Sequence, residues 1–333
     1  MTGARVVRQA AVAVLCLAAL DRLIPGWLDA AEARRYESET GLRFEQSDIF
    51  ALGPLVSYLR EHPRGPRPRI AFLGDSIVWG YGVPAEDSVA ARFQARVPEE
   101  HVLNLGVNRT ETGDMYLIAK SVLDSIATLY VFDRLPRIRH QQLPRLVPVA
   151  PDDLARFGLT PPIPASGNEI LSFWRLFRDS YRIQAAGLGT STRVFTYSRL
   201  VTAGRTLRRR SDPRAAEPAV DGSAIGVDSR IADAPPSAER AAVLSRRRAL
   251  LWDFAQLVRD RHRTAVFVEM ATNEGTLAAD ERADLNAQFG PDVRFVLVEV
   301  PPALMLDGSH LNRTGAVALA EILWRLRPAG EPR

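Results

Sequence analysis

Five short apolar runs recur along the chain, and segments with helical periodicity lie between them. The apolar runs cover residues 69–73, 101–105, 127–132, 264–270 and 293–300. The helical patterns cover residues 88–96, 112–125, 238–261, 277–289 and 314–326. Continuous apolar runs are typical of strands buried on both faces, and strands that alternate with helices pair in parallel through right-handed crossovers. The pattern therefore predicts a three-layer α/β fold with helices on both faces of a parallel sheet.

Two segments lie outside this alternation. Residues 31–64 carry a mixed helical pattern, which the proline-rich stretch HPRGPRPR ends because proline lacks an amide donor. More than 100 residues separate the third and fourth strands, far more than an ordinary connection needs. We therefore expect a core formed by residues 65–133 and 249–328, and an insertion at 134–248 that is partly disordered and a candidate lid. An aromatic helical pattern at 168–185 would cap the active site, touch a membrane surface or pack on the core.

Residues 1–30 have the pattern of an export signal. Arg5 and Arg8 precede eleven apolar residues at 10–20, which Asp21 and Arg22 then close. A membrane span needs about 20 apolar residues, so the run fits the core of a signal peptide better. Export to an extracytoplasmic compartment is the favoured interpretation. An uncleaved signal anchor that tethers the protein to a membrane, and a terminal helix of a cytoplasmic protein, are the alternatives.

Composition excludes several classes of protein. The 333 residues are 46% hydrophobic and 25% charged, which are ordinary globular values. The formal net charge is +4, but the basic residues are spread along the chain and no nucleic-acid-binding motif is present, so no nucleic-acid partner is expected. Lys120 is the only lysine, which leaves no lysine for a phosphate-binding loop or a Schiff base in the motifs below. Cys16 is the only cysteine, so the folded body contains no disulfide.

Ser76 is a candidate nucleophile in the segment GDSIVWGYGV. It follows the first strand and Gly74, at the start of the next helical segment, where backbone amides point toward a developing anion. Ligands of open parallel sheets bind at this carboxyl edge of the strands. The alternative is that Ser76 only caps a helix, a position in which serine is common.

A serine nucleophile needs a base, and His310 is the best candidate among the five histidines. It follows the last strand, and Asp307 lies three residues earlier in LDGSHLN. A carboxylate at this spacing can reach the imidazole, select its tautomer and stabilise the imidazolium. Ser76, His310 and Asp307 therefore form a candidate catalytic triad.

These segments resemble the motifs of the SGNH, or GDSL, hydrolase family. GDSIVWGYGV looks like the nucleophile block, LNLGV like the second block and DGSHLNRTG like the final Asp-x-x-His block, in the family's order. The resemblance implies a flavodoxin-like sandwich of about five parallel strands. It also implies Ser76 as nucleophile, His310 as base, Asp307 as its orienting acid, and the amides of Ser76 and Gly106 as oxyanion donors.

One block departs from the family's pattern. The third block, Gly-x-Asn, would fall after the third strand, where this chain has YVFDR and carries Asp133. An ionised Asp133 would repel an oxyanion, so a structural role is expected for it. Asn108, two residues after Gly106, is the first candidate to replace the missing side-chain donor, and Asn273 is a second one.

The expected activity is that of a serine esterase or deacylase acting on an ester-linked acyl group of a small molecule, a carbohydrate or a cell-envelope polymer. The alternatives are an O-acyltransferase acting on a polysaccharide and a catalytically weakened glycan-binding module. No cofactor is expected, because the chain has no dinucleotide-binding fingerprint. No metal is expected either, because no His, Cys, Asp and Glu cluster has ligand spacing.

Overall fold

The computed structural model describes residues 3–38, 52–133, 152–153, 226–227, 238–270, 277–307 and 310–328. The strands are β1 (Arg69–Gly74), β2 (His101–Gly106), β3 (Thr128–Asp133), β4 (Gly226–Val227), β5 (Thr264–Met270) and β6 (Val293–Glu299). The helices are α1 (Gly3–Ser38), α2 (Leu52–Glu61), α3 (Ser76–Trp79), α4 (Val89–Gln94), α5 (Thr112–Val122), α6 (Ala238–Asp260), α7 (Ala279–Phe289) and α8 (Arg313–Arg325).

The strands form one sheet in the order β2-β1-β3-β5-β6-β4. The five longer strands are all parallel, which confirms the predicted α/β fold with about five parallel strands. In this order β1 lies between β2 and β3, and Gly74 at its end is level with Gly106 of β2. The two-residue strand β4 pairs antiparallel with β6 at the edge of the sheet. It lies within the predicted insertion and carries too little pattern to be predicted.

Side chains alternate between two buried clusters, one on each face of the sheet. From β1, Ala71 and Leu73 join the cluster packed on α2, α5, α6 and α7. Ile70 and Phe72 join the cluster packed on α3, α4 and α8. β1, β2 and β3 are buried along their whole length. Burial on both faces explains why these strands consist of continuous apolar runs.

Helix α1 crosses the boundary that we expected near residue 30. At its carboxyl end the ring of Tyr36 is buried and lies 5.4 Å from that of Tyr58 on α2. Nearer its amino end, Val7, Leu15 and Trp27 remain 64 to 70% exposed. Among the described helices, none is both long enough and apolar enough to cross a membrane.

The insertion at 134–248 is described only in part. The predicted aromatic helix at 168–185 lies outside the described residues, and so does most of the predicted lid. Helix α6 begins at Ala238, where the sequence pattern predicts a helix, and it returns the chain to the sheet. The structure therefore positions both ends of the insertion, at the end of β3 and along α6.

Candidate active site

A tight turn between β1 and α3 positions Ser76. A Cβ atom at Gly74 would lie 2.4 Å from Val78 Cγ2, so only glycine fits here without rearrangement. Asp75 caps the helix, because its carboxylate Oδ1 accepts the Ile77 N–H at 3.0 Å. Ser76 is thus the first residue of α3 and is 7% exposed. The turn holds the hydroxyl at the carboxyl edge of the sheet.

The turn after β2 packs directly against the turn that carries Ser76. The Val107 N–H donates to the Gly74 carbonyl at 3.0 Å, and the Thr110 hydroxyl lies 2.6 Å from the same oxygen. A Cβ at Gly106 would come within 2.4 Å of the Trp79 backbone nitrogen. The close backbone of Trp79 explains the glycine at position 106, and the Val78 side chain explains the glycine at position 74.

The loop after β6 positions His310 and Asp307. The Leu306 N–H donates to the His310 carbonyl at 2.6 Å. Met305 and Leu311, the next residue on each side, form an antiparallel β-bridge. Asp307 Oδ1 also accepts the backbone N–H of His310 at 3.0 Å. The loop is therefore held by its own hydrogen bonds, although Gly308 and Ser309 lie outside the described residues.

The structure brings Ser76, His310 and Asp307 together in the order that a triad requires. Ser76 Oγ lies 3.0 Å from His310 Nε2. His310 Nδ1 lies 3.0 Å from each carboxylate oxygen of Asp307. The His310 side chain is 20% exposed and that of Asp307 is 47% exposed. With Nδ1 protonated toward Asp307, Nε2 is free to accept the proton of the serine hydroxyl.

The proposed oxyanion donors have different surroundings. The Gly106 N–H donates to Asn104 Oδ1 at 3.0 Å, so an oxyanion would have to share or replace that contact. Asn108 is half-buried in the turn next to Gly74, and its side chain makes no hydrogen bond within the described part of the chain. Asn273 lies outside the described residues. The roles of Gly106 and Asn108 as donors stay predictions.

Asn104 is a residue that the sequence analysis missed. It is buried on β2, and its Nδ2 donates to the Val78 carbonyl at 3.0 Å while its Oδ1 holds the Gly106 N–H. A polar residue inside an otherwise apolar strand, as in HVLNLG, is the signal that would have found it. The Asn104 side chain thus connects the end of β2, by hydrogen bonds, to helix α3, which begins at Ser76.

Asp133 belongs to a buried ionic cluster rather than to an exposed anion site. At the end of β3, its carboxylate accepts the Thr112 hydroxyl at 2.5 Å and Arg247 Nε at 2.5 Å. Arg247 Nη2 also lies 3.1 Å from Glu269, which in turn lies 3.4 Å from Arg282 Nη1. We call Asp133, Arg247, Glu269 and Arg282 the buried ionic cluster. Their side chains are at most 7% exposed.

Burial raises the pKa of one member of the cluster, Glu269. Burial raises the pKa of Glu269 from 4.5 to about 7, and the nearby Asp133 carboxylate raises it as well. The Arg247 and Arg282 guanidinium groups and the Leu277 amide favour the ionised form and oppose that rise. Burial is the largest of these effects, so Glu269 titrates near neutral pH although it lies beside two arginines.

Metal sites are absent from the described ranges. No group of three or more His, Cys, Asp or Glu side chains there is arranged to hold a metal ion.

Comparison with known proteins found no match: no protein-family model and no curated protein matches the chain. The resemblance to SGNH hydrolases therefore depends on the short motifs and on the site geometry described above.

Proposed function

We propose that this chain is a serine esterase or deacylase of the SGNH type. The observation that carries the proposal is the continuous contact from Ser76 Oγ through His310 to the Asp307 carboxylate, with each step at 3.0 Å. Ser76 and His310 are 234 residues apart in the chain and meet only because β1 and β6 end at the same edge of the sheet. A serine that merely caps a helix needs no such partner.

The reaction follows from these contacts. His310 Nε2 accepts the hydroxyl proton while Ser76 Oγ attacks the ester carbonyl carbon, and Asp307 stabilises the imidazolium that forms. Collapse of the tetrahedral intermediate breaks the bond to the leaving oxygen, which takes the proton from His310. Water then attacks the acyl-enzyme and gives a proton to His310. His310 returns that proton to Ser76 Oγ as the bond to the acyl group breaks, which releases the carboxylic acid.

Hydrolysis is the reaction we propose, because water needs no binding site of its own to accept the acyl group. A transferase acting on a polysaccharide needs a site that keeps water from the acyl-enzyme. We propose an ester-linked acyl group of a small molecule, carbohydrate or cell-envelope polymer as substrate. We also propose an extracytoplasmic location, with residues 1–30 acting as a signal peptide or as a membrane tether.

The proposal is tested with a fluorophosphonate probe and short-chain p-nitrophenyl esters. We expect ester hydrolysis, stoichiometric labelling of the folded chain and modification of Ser76, identified by mass spectrometry of the labelled peptide. Labelling that persists in Ser76→Ala would reject Ser76 as nucleophile. A folded wild-type protein that neither reacts with the probe nor hydrolyses esters would instead favour the glycan-binding module. Adding a glycan acceptor and comparing acid release with acyl transfer separates hydrolase from transferase.

Asn108 is expected to donate a hydrogen bond to the oxyanion. Asn108→Ala should lower kcat roughly 100-fold, because loss of one such donor typically costs 100-fold to 1000-fold. The unfolding midpoint in urea should change little, since the side chain makes no hydrogen bond within the described part of the chain. An unchanged kcat would reject Asn108 and leave only backbone donors.

A further inference from the structure

Tyr81 contacts both the turn that carries Ser76 and the imidazole of His310. Its backbone N–H donates to the Ser76 carbonyl at 2.9 Å. Its ring centroid lies 4.5 Å from that of the His310 imidazole, with the two planes inclined at 39°. Among the described residues, Tyr81 provides the aromatic ring that packs on His310. Tyr81 is half-buried, and it therefore contacts both the backbone of Ser76 and the ring of His310.

Two glycines set the position of Tyr81. Gly80 ends α3 in the left-handed conformation with φ of 82°, and Gly82 has the same φ. A Cβ at Gly82 would lie 2.3 Å from Leu306 Cδ2, which places this segment directly against the loop that carries His310. The ring of Tyr81 is thus presented to the imidazole by backbone geometry on both of its sides.

The ring contact matters because Asp307, the carboxylate that faces His310, is half-exposed. His310 becomes a cation in the transition state, and Asp307 is the carboxylate that stabilises it. Because 47% of the Asp307 side chain is exposed, solvent screens that attraction. An aromatic face within about 6 Å of a cation is attractive and is less easily screened when the contact excludes water.

Arg313, the first charged residue after His310 in the chain, forms an ion pair away from the imidazole's own hydrogen bonds. Arg313 follows His310 by three residues, and its Nε lies 3.1 Å from the carboxylate of Asp87. Asp87 is buried and also binds Arg92. Within the described residues, the side chains that form hydrogen bonds with the His310 imidazole are those of Asp307 and Ser76.

We propose that Tyr81 is a positioning residue, whose ring restricts rotation of the His310 imidazole and stabilises its protonated form during acyl transfer. This inference depends on the proposed esterase function. It assigns the effect to the ring face and not to the phenol hydroxyl, so phenylalanine should replace tyrosine and an aliphatic residue should not.

The test compares Tyr81→Leu with the matched variant Tyr81→Phe on the full-length chain. Tyr81→Leu should lower kcat about fivefold to thirtyfold with little change in KM, which is the range of a cation–π contact expressed as a rate. The acid limb of its pH–rate profile should move to lower pH, because the protonated imidazole loses a stabilising contact. Tyr81→Phe should retain kcat within about twofold. Tyr81→Met serves as a second aliphatic variant if the leucine variant does not fold.

The outcomes separate this inference from the proposed function. Wild-type protein that is labelled by fluorophosphonate, together with aliphatic variants of unchanged kcat and an unmoved acid limb, would overturn the role of Tyr81 alone. Equal loss in Tyr81→Phe and Tyr81→Leu would also overturn it, because that result points to the hydroxyl. Absence of labelling in wild type would reject the esterase, and the role of Tyr81 with it.

Discussion

His310→Gln is expected to reduce ester turnover by about 10⁴-fold or more while leaving the protein folded. The size follows from triads in which loss of the base removes nearly all of the chemical acceleration. Glutamine cannot accept the hydroxyl proton that, in the proposed mechanism, passes from Ser76 Oγ to His310 Nε2 across 3.0 Å. The measurement is kcat/KM for a p-nitrophenyl ester, with the rate of fluorophosphonate labelling as a second readout.

The controls for this prediction use the other members of the site and an unrelated histidine. His262→Asn should retain full activity, because His262 is exposed and its backbone φ of 52° is one that asparagine tolerates. Asp307→Asn should lose less than His310→Gln, since the half-exposed carboxylate is screened by water. A His310→Gln variant within tenfold of wild type would show that another group removes the proton.

Arg247→Leu is expected to lower the free energy of unfolding by about 3–5 kcal/mol, the usual cost of breaking a buried ion pair from one side. Arg247 contacts both Asp133 and Glu269, and its side chain is only 6% exposed. Removing the guanidinium leaves the buried Asp133 carboxylate without its cationic partner, while Glu269 keeps Arg282. Urea denaturation of the two proteins measures the difference.

The neighbouring residue provides a matched control. Arg248 is on the same helix and pairs with Glu281 at 3.1 Å, but the two side chains are 44% and 31% exposed. Arg248→Leu should therefore cost less than about 1 kcal/mol. Equal costs for the two variants would mean that the buried ionic cluster contributes no more than a surface pair.

The buried ionic cluster should also make stability depend on pH. Because the pKa of Glu269 is raised from 4.5 to about 7, the folded state binds a proton that the unfolded state has released within this interval. The contribution of Glu269 to stability is therefore present below about pH 4.5 and is lost as the pH rises toward 7. The difference in unfolding free energy between wild type and Glu269→Gln should fall across the same interval.

The motifs allowed the three residues of the candidate triad to be selected, because strands and turns leave local signals. A continuous apolar run ending in GDS indicates a buried strand followed by a sharp turn, and Asp-x-x-His needs only one turn of chain to form. Parallel strands place their carboxyl ends at one edge, so Ser76 and His310 were expected near each other. The distance between them was not predictable, because it depends on the order of strands that are far apart in the chain.

The features that the sequence missed are contacts between elements. Arg247 occurs in a run of three arginines, and only the packing of α6 on the sheet decides that the middle one is buried against Asp133 while Arg248 is solvated. A structural role was expected for Asp133. Its partners Thr112 and Arg247 could not be predicted, because no local sequence pattern connects these distant residues.

By itself, the sequence determined the α/β class, the succession of parallel strands and the identity of Ser76, Asp307 and His310 as candidates, because burial periodicity and turn chemistry act over a few residues. The tertiary structure alone decided that Asn104 holds the Gly106 amide, that Tyr81 covers His310, and that Asp307 is half-exposed. These features depend on strand order, helix packing and solvent access, which are properties of the assembled chain.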